Sequence, residues 1–160
     1  SLIAHMSFYK SVLHHPSNTV PKWFLEVLGI WVSTLNSCAY CVDHHFSGLT
    51  RVLGDSLKAS AIKTAVDNRD IAGAPLGNKE KLAMRYAEVL TRTPVELDEE
   101  LVDDMRDAGY SDGEILEINQ VVSYFGYANR TVLGLGCSID GDIVGLSPNN
   151  STDLDDWSHS

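Results

Sequence analysis

Cys38, Cys41 and His45 stand at positions i, i+3 and i+7 in the run from Ser37 to His45. On a helix, side chains three and four apart share a face, so these three form one stripe about a turn apart. Two close thiols beside an imidazole suit reversible dithiol/disulfide chemistry, in which a base holds one sulfur as the reactive thiolate. Helix electrostatics favours Cys38 as the more acidic thiol, because a helix N-terminus stabilises an anion. His45, one turn beyond Cys41, favours Cys41 instead. His44 is an alternative base, though its place is expected on the solvent side. The same side chains together with Glu26 could also form a four-ligand zinc set. Against this, ligands at i, i+3 and i+7 of one helix span too much of its length to converge easily on one ion.

Glu26 is the second candidate. Between Lys22 and Asp43 it is the only acidic or basic side chain, and its neighbours include Trp23, Phe24, Leu25, Val27, Leu28 and Ile30. Burying an unpaired carboxylate is costly, so a partner or a raised pKa is expected. A raised pKa would suit a proton acceptor working near neutrality. The bland alternative is a carboxylate facing water at a helix edge. If the helix carrying Glu26 packs antiparallel to the Cys helix, the carboxylate can face the Cys/His stripe.

The elements that must position these groups are helical. Residues 2–14 predict a first helix, with His14 and His15 as cationic residues at its C-terminal end. Pro21 suits a first turn, and residues 21–36 are apolar on nearly every side, as in a buried helix. After a short joint at Asn36 and Ser37, the Cys helix runs to a stop at Gly54. Residues 56–67 form a further helix with Leu57, Ile62 and Val66 inward. Residues 68–77 read as a loop. A helix from Asn78 stops at Thr93-Pro94, and a short acidic one covers 98–108. Ser111 and Glu114 have capping-box spacing and open a last helix to about Leu133. The expected fold is all-α, about seven helices, with the Cys-x-x-Cys at the start of the helix that follows a buried one. Residues 1–146 read as one domain, and 147–160 as an acidic, flexible tail.

Composition narrows the function. The chain has 160 residues, 44% hydrophobic and 21% charged, with a formal net charge of −10. That is an ordinary globular balance, and its sign repels phosphate backbones and anionic lipid. Nucleic-acid and membrane partners are therefore not expected, and no apolar run has the length of a membrane span. The first six residues do not form a secretory signal, and without an initiating Met the sequence reads as trimmed at its start. Three cysteines and no leader point to a reducing cytoplasm. Cys137, without a neighbouring partner, is expected as a buried free thiol. Asn129 and Arg130 are expected to pair with an acidic group in the core or at a subunit contact.

Glu26, eleven residues, Cys-x-x-Cys, three residues and His resembles the AhpD-like alkylhydroperoxidases of the carboxymuconolactone decarboxylase superfamily. The run from Gly109 to Ile115, and Asn129-Arg130 followed by Gly134-Leu-Gly136, resemble that family's peroxidase-related subgroup. The resemblance spans nearly the whole chain. It implies a thiol-dependent peroxidase that reduces hydroperoxides without a cofactor or metal. Cys41 would match the peroxidatic cysteine, which becomes a sulfenic acid, and Cys38 the resolving one. His45 would match the residue that takes the thiol proton, with Glu26 relaying it. A dithiol or lipoyl-bearing protein would restore the pair, and a homo-oligomer, trimer or hexamer, is implied. One departure stands out: the relative that gives the family its name has a histidine just before the second cysteine, and here that residue is Tyr40, a poor base at neutrality. Two other functions use the same sequence: a non-enzymatic redox or zinc-binding sensor built on the Cys pair, and a decarboxylase like the superfamily branch that generally lacks it.

Overall fold

The computed structural model describes residues 1–145; the acidic segment 147–160 lies outside the described residues. Seven α-helices follow one another: α1 (Leu2–His14), α2 (Lys22–Leu35), α3 (Ala39–Leu53), α4 (Ser56–Asp67), α5 (Asn78–Arg92), α6 (Glu99–Asp107) and α7 (Asp112–Leu135). A 3₁₀ turn at Pro94–Glu96 joins α5 to α6, and no strand occurs among the described residues. The all-helical expectation is met, with the Cys pair at the start of the helix after the buried one.

α2 is the hub and packs against α1, α3, α4, α5 and α7. Phe24, Leu25, Val27, Leu28, Ile30, Trp31 and Val32 are all buried. Each such side chain contributes about 1.5–3 kcal/mol relative to an exposed one. Trp31 carries a polar atom into this core, and its indole N–H donates to the Met84 carbonyl at 3.0 Å. Gly29 is required where α2 meets α7, because a Cβ there would collide with the Phe125 ring.

Local chemistry sets the helix ends. Asp55 and Asp98 cap α4 and α6 through Lys58 N–H and Leu101 N–H. Ser111 and Glu114 close a full capping box on α7: Glu114 N–H donates to Ser111 Oγ and Ser111 N–H to Glu114 Oε2. These bonds hold the Glu114 carboxyl below its usual range. α7 runs two residues past the expected stop at Leu133. Gly134 continues the helix, and Gly136, at φ 65°, ends it.

Two expectations fail in the outer layer. Leu57, expected inward, is 83% exposed. The inward stripe of α4 is Ala59, Ile62, Ala65 and Val66, and Leu57 lies in the first turn off that stripe. His14, expected as a cationic cap, is instead buried with neither ring nitrogen hydrogen-bonded. Burial first, then the charges of Lys22, His45, Arg51 and Lys10, lower its pKa to about 3, so the ring is neutral.

Candidate active site

The joint between α2 and α3 is a Schellman turn. Ser37 N–H donates to Thr34 O at 3.1 Å and Cys38 N–H to Ser33 O at 2.8 Å. Ser37 occupies the left-handed region at φ 58°, where glycine is the usual residue. Such a conformation costs a side-chain-bearing residue about 1–2 kcal/mol. The turn folds Cys38 back onto the last turn of α2 and makes it the N-cap of α3. Cys41 follows one turn on. The two sulfurs are free thiols 2.7 Å apart, with Cys38 donating to Cys41.

Glu26 reaches this stripe from α2 and is 1% exposed. It does not face water; its Oε2 lies 2.7 Å from His45 Nδ1. The partner expected for a buried carboxylate is thus His45. With the carboxylate ionised, Nδ1 carries the hydrogen and donates it, which leaves the lone pair on Nε2. Gly48 makes room for the pair: a Cβ at that position would sit 3.1 Å from Glu26 Oε1. The His45 ring is held edge-on to Phe125, with centroids 4.6 Å apart at 81°.

Cys41 and His45 open onto a cavity of about 430 Å³, which Tyr9, Tyr124, Phe125 and Ala128 make largely apolar. Cys38 is fully buried and does not line it. Burial, followed by the contact with Cys38, pushes the Cys41 thiol up to about 12. Side-chain hydrogen bonds from Asn129 and Ser33 pull it the other way. At rest Cys41 is therefore a protonated thiol, and its activation requires a base in the same cavity.

Tyr40 and His44 line the same cavity on the side of residues 142–145. Tyr40 Oη donates to Asp142 Oδ2 at 2.9 Å, and burial together with that bond raises its pKa to about 12. It is a neutral donor, not a base. His44 Nε2 lies 3.4 Å from the same carboxylate oxygen, and the His44 ring stacks on Tyr40 at 4.5 Å. Gly145 N–H donates to His44 Nδ1, so residues 142–145 return along this side of α3.

Several residues differ from the sequence reading. Cys137 is exposed rather than buried, because it follows the left-handed turn at Gly136, and it lines the cavity that holds Cys41. Among the described residues Arg130 meets no acidic side chain; its guanidinium donates to Gly126 O on its own helix. Asn129 is fully buried and pairs with Ser33 and Asn36, not with an acidic group. Ser33, Asn36, Gly48 and Asp142 escaped attention as site residues. For Asn36 and Asn129 the available signal was a carboxamide next to, or within, an otherwise apolar helix, where it needs buried partners. Among the described residues no three His, Cys, Asp or Glu side chains converge as a metal site.

No protein-family model and no curated protein matches the chain. Solved structures share its fold, three of them as follows. One is an uncharacterized peroxidase-related protein from Silicibacter sp. TM1040, with TM-score 0.77 and 24% identity over 86% of this chain and 69% of that one. Another is described as an alkylhydroperoxidase AhpD core, an uncharacterized peroxidase-related protein from Ralstonia eutropha JMP134, with TM-score 0.73 and 20% identity over 82% and 66%. The third is an Agrobacterium tumefaciens protein of unknown function described as a putative antioxidant defence protein AhpD, with TM-score 0.68 and 20% identity over 86% and 88%. The fold is thus AhpD-like.

Proposed function

We propose that this protein is a thiol-dependent peroxidase that reduces apolar hydroperoxides. The observation that carries the reading is the pair of free thiols in contact, with Cys41 opening onto an apolar cavity that also holds the Glu26–His45 pair. The AhpD-like fold, shared with peroxidase-related proteins, supports it. His45 Nε2 takes the Cys41 proton, and Glu26 stabilises the imidazolium that results. The thiolate attacks one oxygen of the O–O bond. That oxygen stays on sulfur as a sulfenic acid, and the other leaves as the alcohol with the proton from His45. Cys38 then displaces hydroxide from the sulfenic sulfur, which gives a Cys38–Cys41 disulfide and water. An external dithiol, a small molecule or a lipoyl-type protein group, reduces the disulfide and is itself oxidised.

Residues 1–146 act as one domain in this reading, in a cytoplasmic setting. No helix among the described residues is long and apolar enough to cross a membrane. Leu2, Ile3 and Phe8 on α1, with Tyr127, Leu133 and Leu135 on α7, are exposed apolar side chains on two helices that pack together. They support a homo-oligomer.

The test is intact mass and free-thiol counting before and after one equivalent of an organic hydroperoxide. Loss of two thiols, mapped to Cys38 and Cys41 and reversed by a dithiol, is expected; Cys41→Ser abolishes it. Unchanged thiols in the wild-type protein overturn the reading. The high resting pKa of Cys41 favours a second reading, a redox sensor oxidised once and slowly. Multiple turnovers with a dithiol reductant exclude the sensor.

A further inference from the structure

Asn129 stands in the C-terminal half of α7 and is completely buried, as is Ser33 near the end of α2. Asn129 Nδ2 donates to Ser33 Oγ at 3.0 Å, and Asn129 Oδ1 accepts from Asn36 Nδ2 at 2.9 Å. Asn36 caps the C-terminus of α2, directly before the left-handed turn that delivers Cys38. These bonds settle which way the Asn129 carboxamide faces: its oxygen is occupied by Asn36, so its NH₂ group is presented to Ser33. One N–H serves Ser33, and the second remains to donate.

Nothing in packing requires a carboxamide here. Leaving a buried polar group unsatisfied is costly, and an apolar residue of similar shape avoids that exposure to loss. Asn129 and Ser33 come from two helices and meet beside the dithiol: Cys38 N–H donates to Ser33 O at 2.8 Å, the Cys38 and Cys41 sulfurs are 2.7 Å apart, and hydrogen bonding from both side chains draws the Cys41 pKa down. Hydrogen bonds to an ionised acceptor are roughly twice as strong as neutral ones, so these donors are worth most when Cys41 has lost its proton.

We propose that Asn129 and Ser33 form an anion cradle for the Cys41 sulfur, with Asn36 as the positioning residue that fixes the carboxamide. The negative charge left when the Cys41 proton passes to His45 then rests on preorganised donors from α2 and α7. The direction of that proton transfer rests on the proposed function; the cradle itself rests on the buried hydrogen-bond chain.

The experiment is alkylation of the full-length protein by iodoacetamide as a function of pH, with the Cys41 peptide followed by mass spectrometry. Asn129→Leu is expected to raise the apparent pKa of Cys41 by about one unit, read as roughly tenfold slower alkylation near neutral pH. Ser33→Ala shifts it in the same direction by less, and Ser33→Thr, which keeps the hydroxyl, retains the wild-type profile. If Asn129→Leu does not fold, the two Ser33 variants decide. Profiles for Asn129→Leu and Ser33→Ala that coincide with wild type overturn the cradle. Because the assay needs no peroxide, the two ideas fail separately. Shifted profiles in a protein that consumes no hydroperoxide uphold the cradle and retire the peroxidase; wild-type turnover with unshifted variants does the reverse.

Discussion

Two stripes run along α3, one residue apart in sequence. Cys41, His45 and Gly48 form the inner stripe against Glu26 of α2, and Tyr40, His44 and Ser47 form the outer one against residues 142–145. Each stripe has a histidine beside a carboxylate. The inner pair is 2.7 Å apart with Glu26 shut away from water; the outer is 3.4 Å apart with the Asp142 side chain 39% exposed. Charge interactions strengthen as the local dielectric falls, so similar residues in the two stripes have unequal effects. Burial, more than residue type, separates the pair proposed to move a proton from the pair that ties down a loop.

Removing the inner carboxylate gives the largest expected effect. Glu26→Gln keeps the shape of the side chain but not its charge, and should lower the second-order rate with an organic hydroperoxide by about a hundredfold. Stopped-flow kinetics with wild type and Asp142→Asn in parallel provides the measure. Equal losses in the two variants would erase the distinction between the stripes.

A third histidine sharpens the contrast, because His14 is buried with no carboxylate on its ring. Its pKa is about 3 in the folded protein, against an ordinary 6.5. Between those values the unfolded chain binds more protons than the folded one. Stability contributed by the neutral ring is therefore complete above pH 6.5 and is lost as pH falls towards 3, by up to about 1.4 kcal/mol per unit. His14→Phe should flatten this part of the stability profile in urea unfolding at a series of pH values. A slope unchanged by the substitution would place the acid sensitivity elsewhere.

The outer stripe should give the smallest effects. Tyr40→Phe and Asp142→Asn each remove a half-exposed interaction worth no more than about 1 kcal/mol. Hydroperoxide rates within about threefold of wild type are expected for both. A larger loss with Tyr40→Phe would bring the phenol into the chemistry after all.

Much of the fold could be read from the chain because its signals are local. The apolar run of α2, the Ser111–Glu114 capping box and the terminators Gly54 and Thr93-Pro94 act within one or two turns. Leu57 shows where this stops: an apolar residue in a first turn faces core or water according to how the whole helix is rotated against its neighbours. The Cys–His stripe was legible from spacing, and the isolation of Glu26 among apolar residues announced a buried partner. The partners of Asn129 were not legible, since they are 93 and 96 residues away in sequence. Cys137 was misplaced because the course of the chain after Gly136 depends on long-range contacts of Asp142 and Gly145 with α3.

The contact between the two thiols bears on how such a site survives its own substrate. In the proposed cycle a Cys41 sulfenic acid has two fates: ring closure with Cys38, or a second peroxide that carries it irreversibly to the sulfinic acid. The first is intramolecular, with Cys38 held in place by the turn at Ser37 and its sulfur already at 2.7 Å. The second needs another collision and therefore grows with peroxide concentration. On that proposed cycle overoxidation is a dose-dependent branch held down by the α2–α3 joint, and loosening the joint should make the protein wear out sooner under high peroxide.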